Sequence, residues 1–383
     1  MEAYLDNSAT TRPCEAAVAA AEEALREGWH NPSALYRPAL EAQKKVEAVR
    51  ALCLKAAQAQ GQRLVFTGSG TEADNLAIFG TLRGVRAPGR VLYLVTEHPA
   101  VTACMQEVRR LGHEAIPIPV DRQGVCDLEA LEKLMTPDTR LICIMQVNNE
   151  VGAVQPLSET SALRDRLCPD AAIHVDGVQG FLRVPVDFNR LGIQSYAFSG
   201  HKIHACKGIG GLIFRKDHRL HALTLGGGQE DGLRSGTENT VGIAMLGAAV
   251  GAFPADAVQR MRGLKKRLWN SLREAIPSAV LNGPDPDSAA AAPHILNVSL
   301  PPVRSQTMLF ALEGDGVFVS AGSACSSHRQ KVSPVLTAMH ADAQRADCAL
   351  RFSLSPETTE AVIDYAAACA AKHYALLSRY VRR

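Results

Sequence analysis

The chain has 383 residues, of which 46% are hydrophobic and 21% are charged, and its formal net charge is +2. This length exceeds what one small hydrophobic core needs and suggests two domains in a globular protein. A strongly basic surface attracts nucleic acids and anionic membranes. The small net charge of this chain excludes such a surface field, so neither partner is expected.

The N-terminal stretch, 1–6, has neither a basic n-region nor an apolar h-region, so no secretion signal is expected. The longest apolar run, 241–253, is shorter than the ~20 residues that a membrane span needs. The ten cysteines are scattered singly, with no Cys-x-x-Cys pair. This pattern argues against a disulfide framework and against a metal site, and it favours a reducing, cytoplasmic location.

Apolar runs of strand length alternate with amphipathic runs of helix length over the first part of the chain. The predicted strands are 63–67, 90–96, 114–119, 140–146, 171–176, 195–199 and 211–215, and the predicted helices between them include 72–81, 101–110, 128–135 and 157–167. Such alternation is typical of an α/β fold with a mostly parallel sheet covered on both faces. Ligands of these sheets bind beyond the carboxyl ends of the strands.

A domain boundary is predicted at 253–256, Phe-Pro-Ala-Asp. A long helix over 257–276 follows, and then a turn-rich stretch at 281–286. The remainder predicts a smaller α+β domain, with strands near 295–299, 317–320 and 350–353 and a closing helix from 357.

The first candidate site in chain order is a phosphate-binding turn at 66–72, Phe-Thr-Gly-Ser-Gly-Thr-Glu. It links a predicted strand to a predicted helix. Glycines allow backbone amides to approach an anion, and a helix N-terminus favours negative charge. Gly70 and Thr71 are the candidate phosphate ligands, although an ordinary capped helix start has the same pattern.

Four more polar residues fall at or just after the end of a predicted strand: His98, Asn149, Asp176 and Lys202. A carboxylate at the end of a buried strand, such as Asp176, can pair with a pyridinium nitrogen, as in pyridoxal phosphate enzymes. Lys202 lies in the segment 199–202, Ser-Gly-His-Lys, between two strand-like runs. A partly desolvated lysine there is what a Schiff-base enzyme needs.

The ordered motifs of the whole chain resemble those of the cysteine desulfurases, in the class V aminotransferase superfamily of fold-type I pyridoxal phosphate enzymes. The matching segments are 4–11, 31–33, 67–76, 96–98, 147–152, 174–176, 199–202, 226–230, 234–239, 320–327 and 350–354. The Gly-Ser-Ala-Cys-Ser-Ser element at 322–327 is similar to that of the subgroup that supplies iron-sulfur assembly.

The resemblance implies a large cofactor-binding α/β domain over 14–256, with a mostly parallel sheet of the seven-stranded type. It also implies a small α+β domain built from 1–13 and 257–383, which carries the catalytic cysteine loop. The implied cofactor is pyridoxal 5'-phosphate, held as a Schiff base on Lys202.

The resemblance also implies a role for each matching side chain. Lys202 and His98 would move protons, Asp176 would hold the pyridinium proton, and Arg351 with Asn149 would bind the substrate. Thr237 would reach the cofactor phosphate of the partner subunit in a homodimer. The implied cofactor-binding set is Gly70, Thr71, His98, Asn149, Asp176, Gln179, Ser199, His201, Lys202 and Thr237. Within this set, the resemblance implies that Asn149 and Gln179 hydrogen-bond the phenolic oxygen region of the cofactor ring.

Cys325 would accept sulfur from L-cysteine as a persulfide. It lies in a Gly/Ser loop, whereas other cysteines lie in apolar runs that predict burial: Cys53, Cys104, Cys143, Cys348 and Cys369. The implied products are L-alanine and a persulfide for a sulfur acceptor such as an iron-sulfur scaffold protein.

Two alternatives remain at this point. One is another enzyme of the same fold: an aminotransferase, a β-lyase or a selenocysteine lyase. The other is a weakly active sulfur-handling partner protein, because residues 34–39 depart from the family pattern, as does the pair Ala205-Cys206.

Overall fold

The computed structural model describes residues 1–321 and 333–380. Its strands in chain order are β1 Ala3–Tyr4, β2 Arg63–Thr67, β3 Arg90–Leu94, β4 Glu114–Ile118, β5 Thr139–Met145, β6 Ala172–Asp176, β7 Ser195–Ser199, β8 Gly210–Phe214, β9 Val280–Asn282, β10 Ile295–Ser299, β11 Val317–Phe318, β12 Ser320–Ala321 and β13 Ala349–Ser353. Its α-helices are α1 Glu15–Arg26, α2 Arg37–Ala56, α3 Gly70–Leu82, α4 Pro99–Thr102, α5 Cys104–Arg110, α6 Leu128–Leu134, α7 Leu157–Leu167, α8 Thr240–Ala252, α9 Ala257–Ala275, α10 Ser305–Gly314, α11 Pro334–Ala338, α12 Ala343–Asp347 and α13 Glu360–Leu377.

Within the described residues, one sheet has seven strands in the order β2-β8-β7-β6-β5-β3-β4. Strand β8 is antiparallel to both of its neighbours, and the other neighbouring pairs are parallel. The mostly parallel α/β sheet is therefore confirmed. Strands β6, β7 and β8 are buried throughout, which explains their nearly continuous apolar sequence.

Helix α3 begins directly after β2, and so its N-terminus lies at the carboxyl edge of the parallel strands. The Ser69 hydroxyl caps the helix by accepting the Glu72 N–H at 3.1 Å. The helix packs against β6, β7 and β8. This packing fixes the start of α3 next to the ends of the central strands.

Helices α8 and α9 are separated by residues 253–256, at the predicted boundary. Helix α8 packs against α1 and α2. In the described part of the chain no single helix is long and apolar enough to cross a membrane. Taken together, α8 and α9 have the length and composition of a membrane span, but the pair is bent by 75°.

The C-terminal part of the chain forms its own hydrophobic cluster around an antiparallel sheet of order β12-β13-β10-β9. Helices α9, α10 and α13 supply much of that cluster, and β1 joins it by pairing in parallel with β11. Val335, Leu336 and Met339 pack instead on the core of the large sheet. The division into 14–256 and 1–13 with 257–383 stays a prediction, because residues from both parts contribute to the core of the large sheet.

The N-terminal segment 5–14 connects the two parts. Ser353 of β13 donates its N–H to the Leu5 carbonyl at 2.6 Å and accepts the Ser8 N–H on its hydroxyl at 2.8 Å. Farther along the segment, the Thr11 N–H donates to the His201 carbonyl at 2.8 Å. The segment is therefore held between strand β13 and the turn that carries the candidate lysine.

Candidate active site

The structure brings the predicted strand-end residues to one edge of the large sheet. Strands β2, β3, β5, β6 and β7 run in the same direction, because β8 is antiparallel to both β2 and β7. Their carboxyl ends lead into Gly70, His98, Asn149, Asp176 and Lys202, respectively. These five residues therefore follow strands that end at one edge of the large sheet.

Lys202 ends a short 3₁₀ turn, Gly200–Lys202, that follows β7 directly. Its side chain is half-buried, and Nζ donates to the carbonyl oxygens of Ser8 at 2.6 Å and Ala9 at 2.8 Å. A primary amine is thus held at this sheet edge by two backbone acceptors.

Asp176 is the last residue of β6 and is buried. Its Oδ1 accepts the Val178 N–H at 2.9 Å. Burial, together with the nearby Asp74 carboxyl, raises the Asp176 pKa to about 6. A cationic group placed against this carboxylate would offset the cost of its burial.

A second buried acid lies behind Asp176. Asp74 on α3 is within 3.1 Å of His174 Nε2, and His174 Nδ1 is within 2.9 Å of the Ser195 hydroxyl. Burial raises the Asp74 pKa to about 8 and lowers the His174 pKa to about 4. This Asp74–His174–Ser195 chain was not predicted from the sequence.

His98 caps α4, and its Nδ1 accepts the Ala100 N–H at 3.1 Å. Since a backbone N–H only donates, the neutral ring carries its proton on Nε2. Burial lowers the His98 pKa; the Asp176 carboxylate opposes this effect and the Lys202 charge adds to it. His98 is therefore a neutral imidazole suited to proton transfer.

The predicted phosphate turn presents unused donors. Glu72 Oε2 accepts the Gly68 N–H at 2.7 Å and Ser69 caps Glu72, which leaves the amides of Gly70 and Thr71 at the helix start. The buried Ser199 hydroxyl has no partner among the described residues. A Cβ on Gly70 would lie 2.6 Å from Val178 Cγ2, so the close backbone approach requires glycine.

His201 follows Ser199 in the same turn, and its Nδ1 is 3.3 Å from the Thr10 hydroxyl. Burial, with the neighbouring charges of Lys202, Lys207 and Arg183, lowers the His201 pKa to about 4. The ring is neutral at physiological pH and can contribute one N–H donor to an anion.

Arg351 on β13 approaches the site from the small sheet. Its Nη1 donates to the Asn149 carbonyl at 2.8 Å, and its Nη2 donates to Asp6 Oδ1 at 2.8 Å and to the Ser320 hydroxyl at 3.2 Å. Nε has no partner in residues 1–321 and 333–380. The guanidinium is therefore already paired with a carboxylate, and Asp6 is a site residue that the sequence analysis missed.

Gln179 follows β6 and is buried. Its Nε2 donates to the Ser8 carbonyl at 2.9 Å, the oxygen that also receives the Lys202 amine. Its Oε1 accepts from Arg183 Nη1 at 3.1 Å. Asn149 is half-buried beside Arg351.

Thr237 is exposed. It lies on a segment anchored by Arg234 Nε on Glu72 Oε1 at 2.9 Å and by Arg50 Nη1 on Glu230 Oε2 at 2.8 Å. Cys325 lies outside the described residues. The cysteines predicted to be buried are buried: Cys53, Cys104, Cys143, Cys348 and Cys369.

The donor set fits pyridoxal phosphate. The unpartnered Ser199 hydroxyl and the free amides at the start of α3 suit a phosphate. The buried Asp176 carboxyl suits a protonated ring nitrogen, and Lys202 supplies the amine for a Schiff base.

The chain is similar to known proteins. Residues 3–365 match the family model described as Aminotransferase class-V. The chain is 34% identical over 368 residues to the cysteine desulfurase IscS of Dictyoglomus turgidum (strain DSM 6724 / Z-1310), over 95% of this chain and 92% of that protein. It is 37% identical over 376 residues to the cysteine desulfurase IscS of Escherichia coli O139:H28 (strain E24377A / ETEC), over 94% of this chain and 90% of that protein.

Solved structures are also similar. A NifS-like protein matches with a TM-score of 0.91 at 31% identity, covering 98% of this chain and all of that one (100%). A structure of SspA in complex with cysteine matches with a TM-score of 0.81 at 28% identity, covering 93% of this chain and 99% of that one.

The buried Asp74 carboxyl predicts a specific pH dependence of stability. Its pKa is about 8 in the folded chain and 3.8 when exposed. Between pH 3.8 and about pH 8, the Asp74 carboxyl is therefore protonated in the folded chain and ionised in the unfolded chain. The free energy of unfolding consequently falls as the pH rises through this range. Asp74→Asn removes this loss, worth about 1.4 kcal/mol per pH unit. We expect the melting temperature of the cofactor-free variant, relative to the parent, to be higher at pH 8 than at pH 5.

The matched control is Asp170→Asn, at an exposed carboxylate, which should alter the melting temperature equally at the two pH values. A difference between Asp74→Asn and the parent that stays constant from pH 5 to pH 8 would contradict the assignment of a protonated, buried Asp74.

Proposed function

The chain belongs to the aminotransferase class-V family, and on that basis and the geometry of its site we propose that it is a cysteine desulfurase. Enzymes of this family depend on pyridoxal phosphate, and so this protein is a pyridoxal-phosphate-dependent enzyme. One observation carries the proposal: Lys202, Asp176 and the start of α3 meet at one sheet edge. Relatives named cysteine desulfurase, similar over nearly the whole chain, support the choice of substrate.

The proposed roles follow from the position of each side chain. Bound pyridoxal phosphate supplies an electron sink that weakens the bonds at the substrate α-carbon. Asp176 keeps the ring nitrogen protonated, because a buried carboxylate is stabilised by a cationic partner. Lys202 holds the cofactor and moves the α-proton, and the neutral His98 assists through Nε2.

The phosphate of the cofactor would be held by backbone and side-chain donors. The proposed set is the amides of Gly70 and Thr71, the Ser199 hydroxyl and the His201 ring. All of these groups are neutral donors, aided by the positive end of the α3 dipole.

Arg351 and Asn149 are the proposed substrate residues. The guanidinium is 4% exposed and leaves its Nε without a partner in the described chain, so a substrate carboxylate would share Arg351 with Asp6. A charged hydrogen bond from Nε would orient the amino acid before reaction.

Cys325 is the proposed sulfur acceptor. Its thiolate attacks the sulfur of bound L-cysteine, so that the carbon–sulfur bond breaks and a sulfur–sulfur bond forms. The substrate carbon takes up a proton and leaves as L-alanine, and Cys325 keeps the sulfur as a persulfide. An acceptor, such as an iron-sulfur scaffold protein, then receives that sulfur.

We further propose a cytoplasmic homodimer. The cysteines of the described residues are all free thiols, which suits a reducing compartment. The two N-terminal helices and the loop between them expose large apolar side chains that a partner subunit would cover: Val18, Leu25, Trp29, Leu35, Tyr36 and Leu40. The exposed Thr237 would then reach the partner's cofactor phosphate.

Direct assay tests the activity. Purified protein loaded with pyridoxal phosphate, given L-cysteine and a thiol reductant, should release sulfide and L-alanine in equal amounts. Formation of an α-keto acid without alanine would contradict the proposal and favour an aminotransferase.

Cys325→Ser separates cofactor chemistry from sulfur transfer. The variant should bind pyridoxal phosphate and show spectral changes with L-cysteine, but release no sulfide, because an alcohol does not store sulfur as a persulfide. Cys206→Ser is the matched control: Cys206 lies close to Lys202 in sequence, but burial raises its thiol pKa. Persulfide mapping by mass spectrometry decides the outcome, and extra sulfur on Cys206, or normal sulfide release by Cys325→Ser, counts against the mechanism.

Thr237→Ala tests the shared site. Loss of one hydrogen bond to a charged phosphate should weaken cofactor retention by about tenfold, whereas Thr237→Ser, which keeps the hydroxyl, should retain it. Equilibrium dialysis measures retention and light scattering measures the mass. A fully active monomer, or an unchanged affinity in Thr237→Ala, would show that the sites are not shared.

A further inference from the structure

The side-chain amide of Gln179 is held through both its nitrogen and its oxygen inside the protein. Its Nε2 donates to the Ser8 carbonyl at 2.9 Å, and its Oε1 accepts from Arg183 Nη1 at 3.1 Å and from His294 Nε2 at 3.4 Å. Gln179, Arg183 and His294 are all buried. The buried amide therefore lies between one acceptor and two donors.

These partners allow one orientation of the amide. An arginine guanidinium has donors and no acceptor, and a backbone carbonyl has an acceptor and no donor. Rotation of the amide by 180° would place its NH₂ against Arg183 and its oxygen against the Ser8 carbonyl. Two buried mismatches of that kind cost far more than the hydrogen bonds that they replace.

The same arrangement sets the tautomer of His294. With Gln179 Oε1 facing the ring, Nε2 carries the hydrogen and donates it, so both lone pairs of the amide oxygen are used. Complete burial, together with the nearby Arg183 charge, lowers the His294 pKa, so the ring stays neutral. His294 thus adds a second donor without adding a second charge.

Arg183 is placed by local backbone structure. It follows Asp176 on a turn in which the Arg183 N–H donates to the Gly180 carbonyl at 2.8 Å. In the described chain its side chain donates only to Gln179, and its Nε and Nη2 have no partner. A buried guanidinium without a carboxylate is costly, and stability alone does not account for its presence.

The far side of the amide faces the reactive amine. The Ser8 carbonyl that receives Gln179 Nε2 also receives Lys202 Nζ at 2.6 Å. One N–H of Gln179 is used by this carbonyl, and the amide nitrogen therefore keeps a second N–H next to the point where Lys202 would hold the cofactor.

We propose that Arg183, assisted by His294, is a positioning residue that locks the Gln179 amide with its N–H donor toward Lys202 and the phenolic oxygen of the cofactor. This inference deepens the proposed function and rests on pyridoxal phosphate being bound at Lys202. Arg183 itself does not touch the cofactor and acts through Gln179.

Holding the Gln179 amide in one orientation has a measurable consequence. A hydrogen bond donated to the phenolic oxygen stabilises its negative charge, so the neighbouring Schiff-base nitrogen holds its proton less tightly and its pKa falls. Without Arg183 the amide rotates, this donation is lost for part of the time, and the pKa of that nitrogen rises.

The test is a pH titration of the visible absorbance of the loaded protein. Gln179→Leu should raise the pKa of the Schiff-base nitrogen by about one pH unit, and Arg183→Met should raise it by part of that amount. Arg183→Lys, which keeps a donor for the amide oxygen, should stay close to the parent. The double variant Gln179→Leu/Arg183→Met should match Gln179→Leu alone, because a residue that acts through another adds nothing once the other is gone.

Two results overturn the proposal: an Arg183→Met titration identical to that of the parent, or a double variant whose shift is the sum of the two single shifts. If Arg183→Met fails to fold, as judged by its melting curve without cofactor, His294→Leu and its double variant with Gln179→Leu carry the same test. A parent protein with no visible absorbance after reconstitution would instead refute the proposed function, so the two failures are distinguishable.

Discussion

The contact on which the site depends is the pair of hydrogen bonds from the Lys202 amine to the carbonyls of Ser8 and Ala9. The Ser8 carbonyl also receives the Gln179 amide. Two residues earlier, Asp6 receives the Arg351 guanidinium, and the Ser8 N–H is bound by Ser353. The short N-terminal segment therefore fixes the lysine, the amide and the arginine relative to one another, although they come from distant parts of the sequence.

Electrostatics divide the site into two ends. Asp74, Glu97 and Asp176 are buried close to one another. Burial raises the pKa of each of the three carboxyls above its ordinary value. At the start of α3, backbone amides and the Ser199 hydroxyl present donors without an acceptor among the described residues. A ligand with a cationic ring nitrogen at one end and a phosphate at the other complements both, which is the charge pattern of pyridoxal phosphate.

The large sheet was readable from the sequence because its strands are apolar runs bounded by turns, and each predicted strand lies within two residues of the observed one. The same rule located Asp176 and Lys202, since ligands bind where parallel strands end. The strand Val280–Asn282 was read as part of a turn-rich stretch, because three residues carry little periodic signal and pairing with β10 decides their conformation.

The contacts that complete the site have no local signature. Asp6 meets Arg351 across almost the whole chain, and the Asp74–His174 pair depends on α3 packing over β6. Sequence patterns report local periodicity, whereas these pairs follow from tertiary packing. Asp6 does lie in the matching segment 4–11. A carboxylate in that segment, together with a predicted substrate arginine, was the sequence signal that could have indicated the Asp6–Arg351 pair.

The central claim is that Lys202 carries the cofactor between the Asp176 carboxyl and the amides of α3. Borohydride reduction of the reconstituted protein, followed by peptide mapping with mass spectrometry, tests it most directly. The account predicts one pyridoxyl group per chain, on the peptide that contains Lys202, and none in Lys202→Ala. A stable pyridoxyl group on a different lysine, with Lys202 unmodified, would contradict it.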